Sequence, residues 1–188
     1  MKKIDFELRL KNHITAKDIV KIERELEGED LSCSGFIIDY SSDFLLIQNE
    51  IDFQLDGFSI VPTYTVAKIR CNKTDKFHKS ILKKERIFEK DYGLTFTVEL
   101  IDWKTIFKSL KTNNKIVSIE DEANDETYYI IGHIVRVNQK TVSIQYFDSM
   151  GQLDGESTKV RYEDITMLNF DNRYINTYSK YLKEPKKT

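Results

Sequence analysis

Two cysteines, two prolines and seven glycines in 188 residues leave little room for several kinds of chemistry. Cys33 and Cys71 are far apart, and two thiols cannot build a disulfide framework or a four-thiolate zinc site. They read as reduced, partly buried side chains. With glycine so scarce, there is no phosphate-cradling loop, no dinucleotide fingerprint and no nucleophile elbow. The three histidines, His13, His78 and His133, have no second histidine or cysteine at ligand spacing, so no metal and no cofactor are expected. His133 reads as an outward-facing strand residue. No nucleophile–base pair can be named, and the expectation is that the chain is not an enzyme. No apolar run approaches the roughly 20 residues of a membrane span. The start, Met1-Lys2-Lys3-Ile4-Asp5, lacks the apolar stretch of a secretory signal. A cytoplasmic location without a membrane partner follows as the expectation.

Excess charge of one sign is also absent, the formal net charge being −2. Its distribution is uneven. Residues 1–72 carry 9 basic and 13 acidic side chains, residues 73–114 carry 10 and 6, and residues 115–188 carry 10 and 12. The basic surplus sits in the middle of the chain.

What is present is an internal repeat. Ile19-Val20-Lys21-Ile22-Glu23 matches Ile116-Val117-Ser118-Ile119-Glu120, Gly35-Phe36-Ile37 matches Gly132-His133-Ile134, and Ile47-Gln48 matches Ile144-Gln145, all at one offset. Leu55-Asp56-Gly57 with Leu153-Asp154-Gly155, then Val61 and Val66 with Val160 and Ile165, drift by one residue each time. The repeat also bears on a local ambiguity. Thr15 to Gly28 has helix start and stop signals, but its counterpart, Lys115 to Glu122, is a β-branched run entering an acidic turn. Asp18–Glu25 is therefore read as a strand.

In the second copy, strands are expected near Lys115–Glu120, Tyr128–Val137, Thr141–Phe147, Ser157–Tyr162 and Thr166–Phe170. Val142, Ile144 and Tyr146 alternate with Ser143, Gln145 and Phe147, the period of a two-faced strand. Asn138-Gln139-Lys140 and Ser149-Met150-Gly151 read as turns, as do Ser41-Ser42 and Asp56-Gly57 in the first copy. Five short antiparallel strands in so small a unit close most economically into a barrel. The fold class expected is mainly β with added helices: a first barrel at 1–72, a helical, basic connector at 73–114, and a second barrel with a C-terminal helix at 115–188. In the connector, Lys73–Asp91 reads as a helix and Leu94, Phe96, Val98 and Leu100 as a strand. A second helix is capped by Asp102, with Trp103, Ile106, Phe107 and Leu110 as its apolar stripe. Asn172–Lys183 is the last helix, with Tyr174, Tyr178, Tyr181 and Leu182 expected to pack.

A five-stranded unit with a glycine in its second strand and a hydrophobic pair closing the fifth resembles the Sm-like class. Gly132 to Leu168 carries the likeness, and Gly35 to Ile69 carries a fainter copy. More specifically, Ile131-Gly132-His133-Ile134-Val135, Tyr162-Glu163-Asp164-Ile165-Thr166, Arg173-Tyr174 and Ser179-Lys180-Tyr181-Leu182 are similar to a group of uncharacterised bacterial proteins. Asp39-Tyr40-Ser41 and Leu55-Asp56-Gly57-Phe58 share that likeness. The resemblance implies tandem small barrels and no activity. Val66-Ala67-Lys68-Ile69-Arg70 and Ile165-Thr166-Met167-Leu168-Asn169 lack the glycine-containing signature with which Sm proteins contact RNA, so the resemblance does not bring RNA contact to these residues.

Two functions from different classes stay open. The first is a non-catalytic binding or adaptor protein with a protein partner, engaged by strand addition or through strand faces. The second is a binder of RNA or single-stranded nucleic acid. Its candidate residues are Lys73, Lys76, Lys79, Lys83, Lys84, Arg86 and Lys90, with Phe77 and Tyr92 nearby as stacking partners. The acidic clusters at Glu25–Asp30 and Glu120–Glu126 read as solvated hairpin tips.

Overall fold

The computed structural model describes residues 3–122 and 128–185. Part of the acidic turn at Glu120–Glu126 and the end of the tail Glu184–Thr188 lie outside the described residues. The chain divides into two compact units, Met1–Thr95 and Phe96–Thr188. The segment 73–114 is shared between them.

The first unit opens with helix α1 (Lys3–Ala16), which the sequence reading did not foresee. Strands β1 (Ile19–Leu26), β2 (Glu29–Tyr40), β3 (Phe44–Ile51), β4 (Gln54–Pro62) and β5 (Val66–Arg70) follow, with a 3-10 turn at Thr63–Thr65 before β5. Helices α2 (Lys73–Lys84) and α3 (Ile87–Asp91) complete it. The strand order is β5-β1-β2-β3-β4, antiparallel throughout. β1 is a strand because Val20, Ile22 and Leu26 alternate inward with Lys21, Glu23 and Glu25. Glu27 and Gly28 both take positive φ and turn the chain straight into β2. Arg24 is fully buried, and its Nε donates to Thr65 Oγ1 at 3.2 Å, tying β1 to the 3-10 turn.

The second unit runs α4 (Trp103–Thr112), β6 (Ile116–Asp121), β7 (Tyr128–Val137), β8 (Thr141–Tyr146), β9 (Thr158–Arg161), a 3-10 turn at Tyr162–Asp164, β10 (Met167–Phe170) and α5 (Arg173–Tyr178). Its order is β10-β6-β7-β8-β9, the same as in the first unit. The likeness extends to detail. Gly35 lies in β2 and Gly132 in β7, and the ladders slip between Ile37 and Asp39 and between Ile134 and Arg136. Each glycine lets a neighbouring backbone come close: a Cβ on Gly35 would sit 2.1 Å from the Gln48 carbonyl oxygen, and one on Gly132 would sit 2.0 Å from that of Gln145. In the second unit Asp121, at the end of β6, is buried.

Several expectations are corrected. Neither set of five strands closes into a barrel: among the described residues β4 does not pair with β5, nor β9 with β10. The 3-10 turns send β5 and β10 onto β1 and β6 instead. Residues 94–100 form no strand, although Val98 and Leu100 are buried, so the alternation reports anchoring and not pairing. Asp56-Gly57 is an irregularity inside β4, and the hairpin turn is Asp52-Phe53. The helix read over Lys73–Asp91 breaks at Arg86, whose φ is 58°. α5 ends at Tyr178, and Ile175 is its buried residue while Tyr174 and Tyr181 stay exposed.

In the first unit Ile19, Phe36 and Leu82 form a core onto which Phe88 and Tyr92 pack, Phe88 meeting Phe36 edge-on at 5.1 Å. Gln48 fastens this cover: its Nε2 donates to the Asp91 carbonyl and its Oε1 accepts from the Gly93 amide. In the second unit α4 is capped by Asp102 and buries Trp103, Ile106, Phe107 and Leu110 as one stripe.

Candidate functional site

Three places carry chemistry. The first is the corner where α1 meets β1. Lys17 adopts φ 49°, and the Asp18 amide donates back to the His13 carbonyl, so the chain reverses and sets Asp18 beneath the last turn of α1. His13 Nδ1 lies 3.1 Å from Asp18 Oδ2. Lys79 reaches in from α2 and donates to Asp18 Oδ1 at 2.9 Å and to the Ala16 carbonyl. Because β5 runs antiparallel to β1, with Lys21 opposite Arg70, the next residue, Cys71, arrives at the same corner. The ligand atoms of His13, Asp18 and Cys71 all lie within 4.8 Å of one another, and all three residues are partly buried.

Burial by itself raises the Asp18 pKa, but the hydrogen bonds from Lys79 and His13 outweigh it and hold the carboxyl below its usual value. Burial pushes the Cys71 thiol up, and the charges of Asp18 and Asp75 add to that. The resting thiol is therefore protonated, which is the wrong state for a nucleophile. His13 also lines a cleft of about 490 Å³ between α1 and the β4–β5 corner, bounded by Phe6, Leu10, Tyr64, Val66 and Lys68.

The second place is the outer face of α2. At 3.6 residues per turn, Lys73, Lys76, Lys83 and Lys84 fall within an arc of about 100°. All four are exposed, as is Phe77 beside them, at 63%. Among the described residues none of the four forms an ion pair. Lys79 is drawn inward to Asp18. Arg86 and Lys90 are exposed but belong to the break and to α3, so the seven basic residues do not form one continuous stripe. Tyr92 packs on Phe36 and Phe88 and is not free to stack on a ligand.

The third place is a tyrosine cluster on the second unit. Tyr174 and Tyr178 stand 4.7 Å apart, and Tyr178 stacks on buried Phe147 at 5.5 Å. The hydrogen bond that the Tyr174 hydroxyl donates to Tyr178, with burial and the neighbouring Tyr129 and Tyr146, pushes the Tyr174 hydroxyl up to about 12. Tyr129 lies opposite Glu120 on the β6–β7 ladder. Tyr174 is 51% and Tyr129 47% exposed. Beneath them Ile116, Ile131, Phe147 and Ile175 form the core.

No family model, curated protein or solved structure matches the chain.

Sequence reasoning found the basic residues and the terminal tyrosines but missed the His13–Asp18–Cys71 corner. Cys71 is remote in sequence and reaches the corner only through the β1–β5 pairing, for which no local spacing rule exists. The one local signal was a histidine followed five residues later by an aspartate.

Proposed function

We propose that the chain is a non-catalytic binding or adaptor protein that takes a polypeptide partner on the tyrosine cluster of its second unit. The observation that carries this reading is the grouping of Tyr129, Tyr146, Tyr174 and Tyr178, two of them about half exposed, over a packed core. Tyrosine offers a large apolar face and a hydroxyl at low entropic cost, which is why it dominates binding hot spots. Glu120 beside Tyr129 already accepts from Asn169, and its negative charge favours a partner segment with a basic group. In this reading the protein is cytoplasmic, of bacterial type, and built from tandem Sm-like units. The shared strand order and the equivalent glycines and ladder slips support that description.

The test is selection from a displayed peptide library, followed by measurement of the enriched peptide on the parent chain and on Tyr129→Ser/Tyr174→Ser. Binding is expected to weaken at least tenfold in the double variant. Equal affinity would remove the cluster as the site.

A second reading, single-stranded nucleic-acid binding, is favoured by exposed Phe77 beside the unpaired face of Lys73, Lys76, Lys83 and Lys84. It requires affinity for a labelled single strand that falls steeply with salt. It also requires a shallower salt dependence in Lys73→Gln/Lys76→Gln/Lys84→Gln.

A further inference from the structure

We propose that His13, Asp18 and Cys71 form a binding site for one divalent transition ion of the zinc class, which clips α1 and the start of α2 to the edge of the first sheet. The donor set is one imidazole nitrogen, one carboxylate oxygen and one thiolate sulfur, the mixture that suits a borderline ion and discriminates against calcium and magnesium.

The geometry is nearly formed. An ion bonded at about 2.0–2.2 Å to nitrogen and oxygen separates those ligands by about 3.4 Å in a tetrahedron. His13 Nδ1 and Asp18 Oδ2 are already 3.1 Å apart. With a zinc–sulfur bond of about 2.3 Å, the sulfur must come to about 3.6 Å from the other two ligands. From its position within 4.8 Å, the sulfur has at most about 1.2 Å to close on either ligand. The fourth position is left to water. The outer shell is also in place, because a ligating carboxylate needs its second oxygen held, and Lys79 already holds Asp18 Oδ1 at 2.9 Å.

On binding, the Cys71 S–H bond breaks and its proton leaves to solvent as the sulfur–metal bond forms. The His13 proton moves from Nδ1 to Nε2, so that Nδ1 can donate its pair. The ion's two positive charges are then matched by the Asp18 carboxylate and the Cys71 thiolate.

The experiment uses the full chain, stripped of metal, titrated with Co²⁺ and followed by absorption. A thiolate-to-cobalt charge-transfer band in the near ultraviolet, saturating at one equivalent and abolished by Zn²⁺, is the expected result. Cys71→Ser should lose the band while Cys33→Ser keeps it, and His13→Gln should weaken Co²⁺ binding at least tenfold. Thermal melts in the absence of metal show whether each variant is folded. If Cys71→Ser does not fold, His13→Gln in the Cys33→Ser background decides, unchanged affinity counting against the site and a tenfold loss for it. Absence of the band, a band that survives Cys71→Ser, or one lost with Cys33→Ser would overturn the proposal.

Discussion

Replacing Gly132 by alanine tests how closely the β7 and β8 backbones cross. The added Cβ would lie 2.0 Å from the Gln145 carbonyl oxygen and 2.6 Å from its carbon, where ordinary contact begins at 3.4 Å. The strands must part by about 1.4 Å at that point, and no rotamer change can help because the obstacle is backbone. Parting them weakens a ladder hydrogen bond, worth about 1 kcal/mol, and overpacking adds about 1–3 kcal/mol. Alanine returns about 0.5–1 kcal/mol through the lower entropy of its unfolded chain. The net loss is about 1–3.5 kcal/mol. For a unit of this size each kcal/mol moves the melting temperature by roughly 4–8 °C, so a drop of about 4–28 °C is expected. Circular dichroism melts of Gly132→Ala and Gly155→Ala provide the comparison. Nothing lies within 4 Å of a Cβ on Gly155, and its φ is not positive, so that variant should melt at or slightly above the parent. If Gly132→Ala melted within 2 °C of the parent, the close-crossing argument would be wrong.

Phe107 is fully buried and stacks on Tyr162 at 5.8 Å, so Phe107→Ala should cost about 3–5 kcal/mol in a denaturant titration. Phe53 holds φ 62° at a hairpin turn, a conformation that costs a side chain about 1–2 kcal/mol. Phe53→Gly should therefore raise stability even though the ring contact with His78 at 4.8 Å is lost, and a lower melting temperature would show that the contact outweighs the strain. His133 is partly buried, and burial lowers its pKa below the ordinary 6.5. The unfolded chain then takes up its proton first as pH falls, so the stability His133 contributes is full above about 6.5 and declines as pH drops below it. Melts at pH 7.5 and 5.5 should differ less in His133→Gln than in the parent.

Much of the strand layout was legible in the sequence, because alternation and turn chemistry are local. Tyr128–Val137 is a strand with the bounds read for it, and Asp102 caps its helix as expected. What was not legible depends on which strand pairs with which. Val98 and Leu100 alternate like a strand but find core contacts without a ladder partner. Barrel closure was inferred from the cost of edges, whereas the 3-10 turn after β4 directs β5 to β1. The terminal stripe was read as fully packed, yet the helix stops before Tyr181 and leaves Tyr174 on the surface. The α1–β1 corner needed three segments from distant parts of the first unit, and no periodicity encodes that.

Arg24 and Asp121 occupy equivalent steps of β1 and β6, Arg24 opposite Leu31 of β2 and Asp121 opposite Tyr128 of β7. One is a buried cation and the other a buried anion. Exchanging the two strands would put a guanidinium where a carboxylate is accommodated, and stranding a buried charge in that way costs about 3–5 kcal/mol. Despite their common strand order, the halves are therefore not spare parts for one another. Recombination between them at the gene level would yield unstable chains, and that penalty keeps the two units free to diverge as separate surfaces.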